Sequence, residues 1–167
     1  MKNLRTLALG AIVTFLPIAV MAQVNSPTET TPEAKFRWQF SPYTYHFTPD
    51  GQHKNVVMVG VEREHADAKL DGVTLFTNSF GQPTLYFYPW GRVYKPISGM
   101  EQISFKWTAG VLYGYKDPYE DKVPLNYGGL SPALIPAIAF EFKSGWTAQL
   151  NLLGTAAMMF QLSTPII

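Results

Sequence analysis

QISFKWTAGVLYGY, residues 102–115, alternates with period two. Ile103, Phe105, Trp107, Ala109, Val111, Tyr113 and Tyr115 take one beat, and Gln102, Ser104, Lys106, Thr108, Gly110, Leu112 and Gly114 take the other. Side chains of a strand point alternately to opposite faces, so the stretch reads as a strand with one bulky face and one small or polar face. The same period recurs at roughly 36–47, 55–64, 72–80, 84–94, 131–142, 146–153 and 156–163, most runs bounded by Gly, Pro, Asp or Asn. Eight strands are therefore expected. Period two alone leaves the bulky face free to point inward, as in a secreted lipocalin-like barrel, or outward into lipid.

The rest of the chain favours lipid. Charged residues make up 15% of its 167 residues and aromatics 14%, with a net charge of +1. The usual charged share is about a quarter. So even a balance argues against nucleic acid or another polyanion as partner. Lys2 and Arg5 precede a largely apolar run, Leu7 to Val20, and Val20-Met21-Ala22 suits signal peptidase. Residues 1–22 are expected to be a cleaved signal peptide, 23–35 (QVNSPTETTPEAK) a polar flexible arm, and 36–167 the barrel. After residue 22 no apolar stretch approaches the roughly 20 residues a membrane helix needs, so a chain that crosses a membrane must do so as a closed barrel. There is no cysteine, which excludes disulfides and thiolate metal sites. The three histidines have no zinc-site spacing and no phosphate-binding loop or nucleophile elbow appears, so no metal and no cofactor is expected.

With both termini in the periplasm, odd strands run outward and even strands return, which gives each small-face residue a depth. Near the periplasm the interior then carries Glu62, Glu64, Lys106, Glu141 and Arg92, with Gln102, Ser104, Thr147 and Gln149. Nearer the outside it carries Val56, Met58, Gly60, Gly110, Leu112, Gly114, Ala137 and Ala139, whose side chains hydrogen-bond little and leave space. The expectation is an ionic plug below an apolar pocket at outer-leaflet depth. The alternative is that small residues merely let eight strands close around a filled core.

The same parity puts His46, in YTYHF, at the outer end of strand one and Asn78-Ser79, in FTNSFGQP, at the outer end of strand three. Both precede turn sequences, and both fall on one rim. A histidine there can take a proton from a hydroxyl near neutral pH, and a serine can act as nucleophile or relay. His53 and His65 read as ordinary loop and turn residues.

The order YTYHF, FTNSFGQP, YPWGRVYKP, FKWTAGVLYGY and KVPLNYGGLSPALIPAIAFEF, over about residues 42–150, resembles the PagP-type lipid A palmitoyltransferases of the Gram-negative outer membrane. The resemblance implies an eight-stranded antiparallel transmembrane β-barrel with an interior hydrocarbon pocket, which moves an acyl chain from a phospholipid donor to lipid A as acceptor. It implies His46 and Ser79 as catalytic residues, with Asn78 where the family has an aspartate; an amide orients an imidazole but does not stabilise its cation as a carboxylate does. Pro42, Pro132 and Pro136 would interrupt interstrand pairing where lipid is admitted. Tyr86 and Tyr88, around the stretch where the family has a pocket-floor glycine, would shorten the pocket that Met58, Gly110 and Leu112 line. A monomer is expected. The other readings are a non-catalytic lipid-binding or structural barrel and a lipid A deacylase.

Overall fold

The structure, a computed structural model, describes residues 33–48 and 50–166. The expected signal peptide and the arm as far as residue 32 lie outside the described residues. Lys35, placed in the arm from sequence, already belongs to the first strand.

Eight strands run in order: β1 (Lys35–His46), β2 (Met58–Glu64), β3 (Leu70–Thr77), β4 (Pro83–Tyr94), β5 (Ile103–Tyr113), β6 (Leu130–Glu141), β7 (Thr147–Leu153) and β8 (Ala157–Pro165). Each pairs antiparallel with the next and β8 returns to β1, so the sheet closes into a barrel. Among the described residues the one helical element is a 3₁₀ turn, Glu120–Lys122, and no helix there is long and apolar enough to cross a membrane.

The bulky beat faces outward. Trp38, Phe40, Val59, Leu75, Phe87, Val111, Leu134, Ile138 and Leu150 are exposed, while Gln39, Ser41, Glu62, Thr74, Ser104, Lys106, Gln149 and Gln161 are buried. A water-soluble protein does the reverse; hydrocarbon is the solvent that suits such a wall. Tyr43, Tyr45, Phe47 and Tyr113 stand exposed toward one end, and Phe36, Tyr94, Phe142 and Trp146 toward the other. That spacing matches the aromatic girdles of membrane-spanning barrels.

Two register shifts interrupt the alternation, one between Phe40 and Tyr43 on β1 and one between Phe87 and Trp90 on β4. Pro42 and Pro89 sit in these steps, as expected of a residue without a backbone donor. The second step corrects a sequence expectation. An extra residue at Pro89 reverses the parity beyond it, so Gly91 and Val93 face inward and Arg92 faces out, its guanidinium 5.9 Å from the centre of the Tyr94 ring. Gln102 also departs from expectation, lying exposed in the turn before β5.

The Arg37 end of the interior is ionic. Lys106 Nζ lies 2.5 Å from Glu62 Oε1, with side chains 7% and 2% exposed. Arg37 and Lys95 flank Glu141 at 3.1 and 2.9 Å. The Tyr88 hydroxyl lies 3.2 Å from Gln39 Oε1 and 3.4 Å from Glu62 Oε2. Burying these charges is tolerable only because each has a partner. The expected plug is present, but Arg37 and Lys95 stand in it in place of Arg92, and Gln149, expected within it, lines the cavity above.

Candidate active site at the barrel mouth

Above the plug a cavity of about 630 Å³ runs to the opposite end of the barrel. Its floor is Tyr88 with Gln39 and Glu62; its walls include Met58, Phe76, Leu112, Ala133, Leu153 and Met159; its mouth is His46, His53, Ser79 and Phe80. The space does not come from the glycines, as sequence suggested. A Cβ at Gly110 would fall 2.0 Å from the Phe87 carbonyl oxygen, so that glycine lets β5 approach β4 at the bulge and does not line the cavity. Gly60 and Gly114 are likewise filled, by the side chains of Thr74 and Thr84.

His46 and Ser79 meet at the mouth, Nε2 to Oγ at 2.6 Å. The reason is a short strand. β1 pairs with β2 only from Lys35 to Ser41, because β2 starts at Met58. Beyond Ser41 the sheet is open on that side, and the connecting loop lies against the end of β3 instead: Lys54 N–H donates to the Ser79 carbonyl at 2.7 Å and Thr77 N–H to that of Val57 at 3.3 Å. The open seam lets the imidazole reach Ser79, just past the end of β3.

His53 belongs to this site, contrary to the loop reading. The Asp50 carboxylate accepts from Gln52 N–H at 2.9 Å and its carbonyl from His53 N–H at 3.0 Å. This tight turn, of the kind aspartate builds, returns the His53 ring onto His46 with centroids 4.0 Å apart and planes at 30°. The Phe80 ring packs against His53 with centroids 5.6 Å apart and planes at 69°, and stacks on Tyr119 at 4.3 Å. A histidine followed seven residues later by another, around an Asp-Gly turn, was the available signal.

Asn78 is brought close but turned away. Once β3 ends at Thr77 the chain bends, so Asn78, Ser79 and Phe80 are all buried and strand alternation no longer applies. The Asn78 carboxamide oxygen accepts from Phe80 and Gln82 N–H, each at 3.0 Å, and its nitrogen points to Gln82 Oε1 at 3.4 Å. It shapes the turn that presents Ser79 and makes no bond to His46, so the expected imidazole-orienting role is not its own. Gln82 carries the order onward, exchanging hydrogen bonds with Lys116 at 3.1 and 3.0 Å. Tyr115, expected outward, lines the cavity; burial raises its phenol above the usual range, offset in part by hydrogen bonding with Ser79. It is held as a neutral hydroxyl beside the serine.

Of the remaining expected residues, Tyr86, Tyr88, Met58, Leu112 and Pro132 line the cavity, whereas Pro42 and Pro136 do not. Tyr86 and Tyr88 stack at 5.0 Å, and Tyr86 donates to Thr108 Oγ1 at 3.1 Å. The prolines mark the wall. Pro42 borders the open stretch between β1 and β2. Pro132 and Pro136 lie on the part of β6, before Ala137, that pairs with β5 but not with β7. Two seams therefore open at the mouth end. His65 packs against Asp71 at the opposite end, with Arg63 3.0 Å from the same carboxylate, as an ordinary turn cluster.

No protein-family model matches the chain, and no curated protein matches it. A solved structure described as "De novo design of transmembrane beta-barrels" is similar over 79% of this chain and 95% of its own, at TM-score 0.54 and 12% identity. At that identity the likeness speaks to the fold alone, a closed eight-stranded antiparallel barrel.

Proposed function

We propose that this chain is an outer-membrane acyltransferase of the PagP type, moving an acyl chain from a phospholipid to lipid A. The observation that carries the reading is the His46–Ser79 contact at the mouth of a long, largely apolar cavity in a barrel with an apolar exterior. The cavity takes the donor's acyl chain, admitted through the seams at Pro42 and at Pro132 and Pro136. The ester then lies at the rim. His46 Nε2 takes the proton of the acceptor hydroxyl as its oxygen attacks the ester carbonyl, and returns it to the departing lysophospholipid oxygen, so the proton balance closes within one cycle. Ser79, fixed by the Asn78 turn, hydrogen-bonds at the reacting ester, and Tyr115 remains neutral beside it. A rim facing the cell exterior fits the placing of the start of β1 at Lys35 and the end of β8 at Pro165 at the opposite end.

A second reading, a lipid-binding barrel without catalysis, is favoured by Asn78, whose carboxamide is committed to its own turn, so that among the described residues His46 has no carboxylate or amide partner. A lipid A deacylase would use the same pair to release the chain. Mass spectrometry of lipid A from cells with and without the gene separates the three: an added chain supports the transferase, a lost chain the deacylase, and an unchanged pattern the binding barrel.

A further inference from the structure

β7 and β8 carry three carboxamides on their inward beat: Gln149, Asn151 and Gln161, 5%, 6% and 4% exposed, all lining the cavity. Gln149 and Gln161 face each other across the strand pair, and Asn151 stands one inward step nearer the mouth. They bond as a chain, Gln149 Nε2 donating to Asn151 Oδ1 at 2.5 Å and Asn151 Nδ2 to Gln161 Oε1 at 2.9 Å. At its two ends, Gln149 Oε1 and Gln161 Nε2 are buried without a partner. Such groups are uncommon in folded proteins and call for a physical reason.

The leftover pair does not depend on how the amides are turned. Reversing all three exchanges every oxygen for nitrogen and reverses the chain, which then ends in a donor on Gln149 and an acceptor on Gln161. One free donor and one free acceptor remain on opposite strands either way. Both glutamines line the cavity, so a guest there lies beside the two amides.

A plain hydrocarbon satisfies neither atom. A hydroxyl satisfies both, because its one oxygen donates and accepts. We infer that the cavity is built for an acyl chain bearing a hydroxyl part-way along its length, held between Gln149 and Gln161; this rests on the acyl-binding reading of the cavity given above. The depth fixes where the hydroxyl falls. Gln161 lies four residues along β8 from Ala157, the partner of His46, a distance of roughly 13 Å at the ordinary strand rise. With the ester at His46 the hydroxyl is mid-chain, well away from the carbonyl. Asn151 also forms, with Ala137, the last rung before the β6–β7 seam opens, so the ladder stands where that opening meets the cavity.

The test uses the full chain refolded in detergent, titrated with stearate and with a hydroxystearate whose hydroxyl is mid-chain, with occupancy read by native mass spectrometry. The hydroxylated chain should bind about tenfold more tightly, the worth of a satisfied buried hydrogen bond. Gln149→Leu combined with Gln161→Leu should abolish that preference while stearate still binds, and Gln161→Met alone should reduce it. Equal affinity of the unaltered protein for the two chains would mean that water serves the ladder; that overturns this inference and leaves the acyl-binding reading standing. Uptake of neither chain overturns both.

Discussion

Nε2 of His46 lies 2.6 Å from Oγ of Ser79, a contact between residues 33 positions apart that exists because β2 stops short of the rim. If His46 is the base, His46→Ala should lower transfer to lipid A by about 10² to 10⁴-fold, the usual worth of a positioned general base. Ser79→Ala should also lower it, by less if the hydroxyl only assists. Lipid A mass spectrometry reads the product, and the heat-dependent gel mobility of the barrel verifies folding. Undiminished transfer by folded His46→Ala protein would remove the base from the mechanism.

His53 positions His46 through ring stacking at 4.0 Å. His53→Ala should therefore reduce kcat by roughly tenfold, the order expected when a catalytic group is left loosely held, with little change in KM. His53→Phe keeps a flat ring in the same place and should restore most of the rate. Equal loss in the two variants would point instead to chemistry by the His53 imidazole itself.

Asn78 offers a test of turn against charge. Its oxygen serves two backbone donors, so Asn78→Ala strands them in a buried site and should cost about 1–3 kcal/mol. Asn78→Asp keeps both backbone bonds but buries a carboxylate and turns an oxygen toward Gln82 Oε1, so it too should lower stability while still holding the turn. Because the side chain is turned from His46, the aspartate should change transfer by less than about threefold, far below the usual effect of a catalytic acid or base. A much larger gain would show that the carboxylate swings to the imidazole.

The strands, their parity and the ionic plug were legible because a barrel wall between two solvents imposes one binary pattern on every strand. QISFKWTAGVLYGY needed no tertiary information to be placed. Parity failed where the backbone departs from regular pairing: the bulge at Pro89 turned Arg92 outward, and the end of β3 at Thr77 buried Asn78 and Ser79 together. The site was half legible for a related reason. His46 and Ser79 could be assigned to one rim by counting strands. The stacking of His53, the turn role of Asn78 and the inward turn of Tyr115 depend on loop geometry that no periodicity encodes. Glycine proved ambiguous, since the absent side chain at Gly110 admits a neighbouring strand and leaves no room for a ligand.

The cavity ends on Tyr88, whose ring passes over Gly72; a Cβ there would come within 2.4 Å of the Tyr88 hydroxyl. Tyr88→Ala removes the floor and should shift the preferred donor toward longer acyl chains, measured with phospholipids of graded chain length. An unshifted length profile in a folded variant would place the chain elsewhere.

At that floor, Glu62 forms a nearly inaccessible ion pair with Lys106. Replacing one partner leaves an uncompensated charge in a buried site, so Lys106→Met alone should destabilise the barrel by about 3–5 kcal/mol. Replacing both removes the desolvation cost along with the attraction. Lys106→Met with Glu62→Met should therefore recover most of the loss, less the contact that Glu62 makes with the Tyr88 hydroxyl at 3.4 Å. Urea unfolding of the refolded barrel in lipid vesicles, followed by tryptophan fluorescence, measures each step of the cycle. A double variant as unstable as the single one would mean that the pair contributes through packing, and that the plug is held by shape more than by charge.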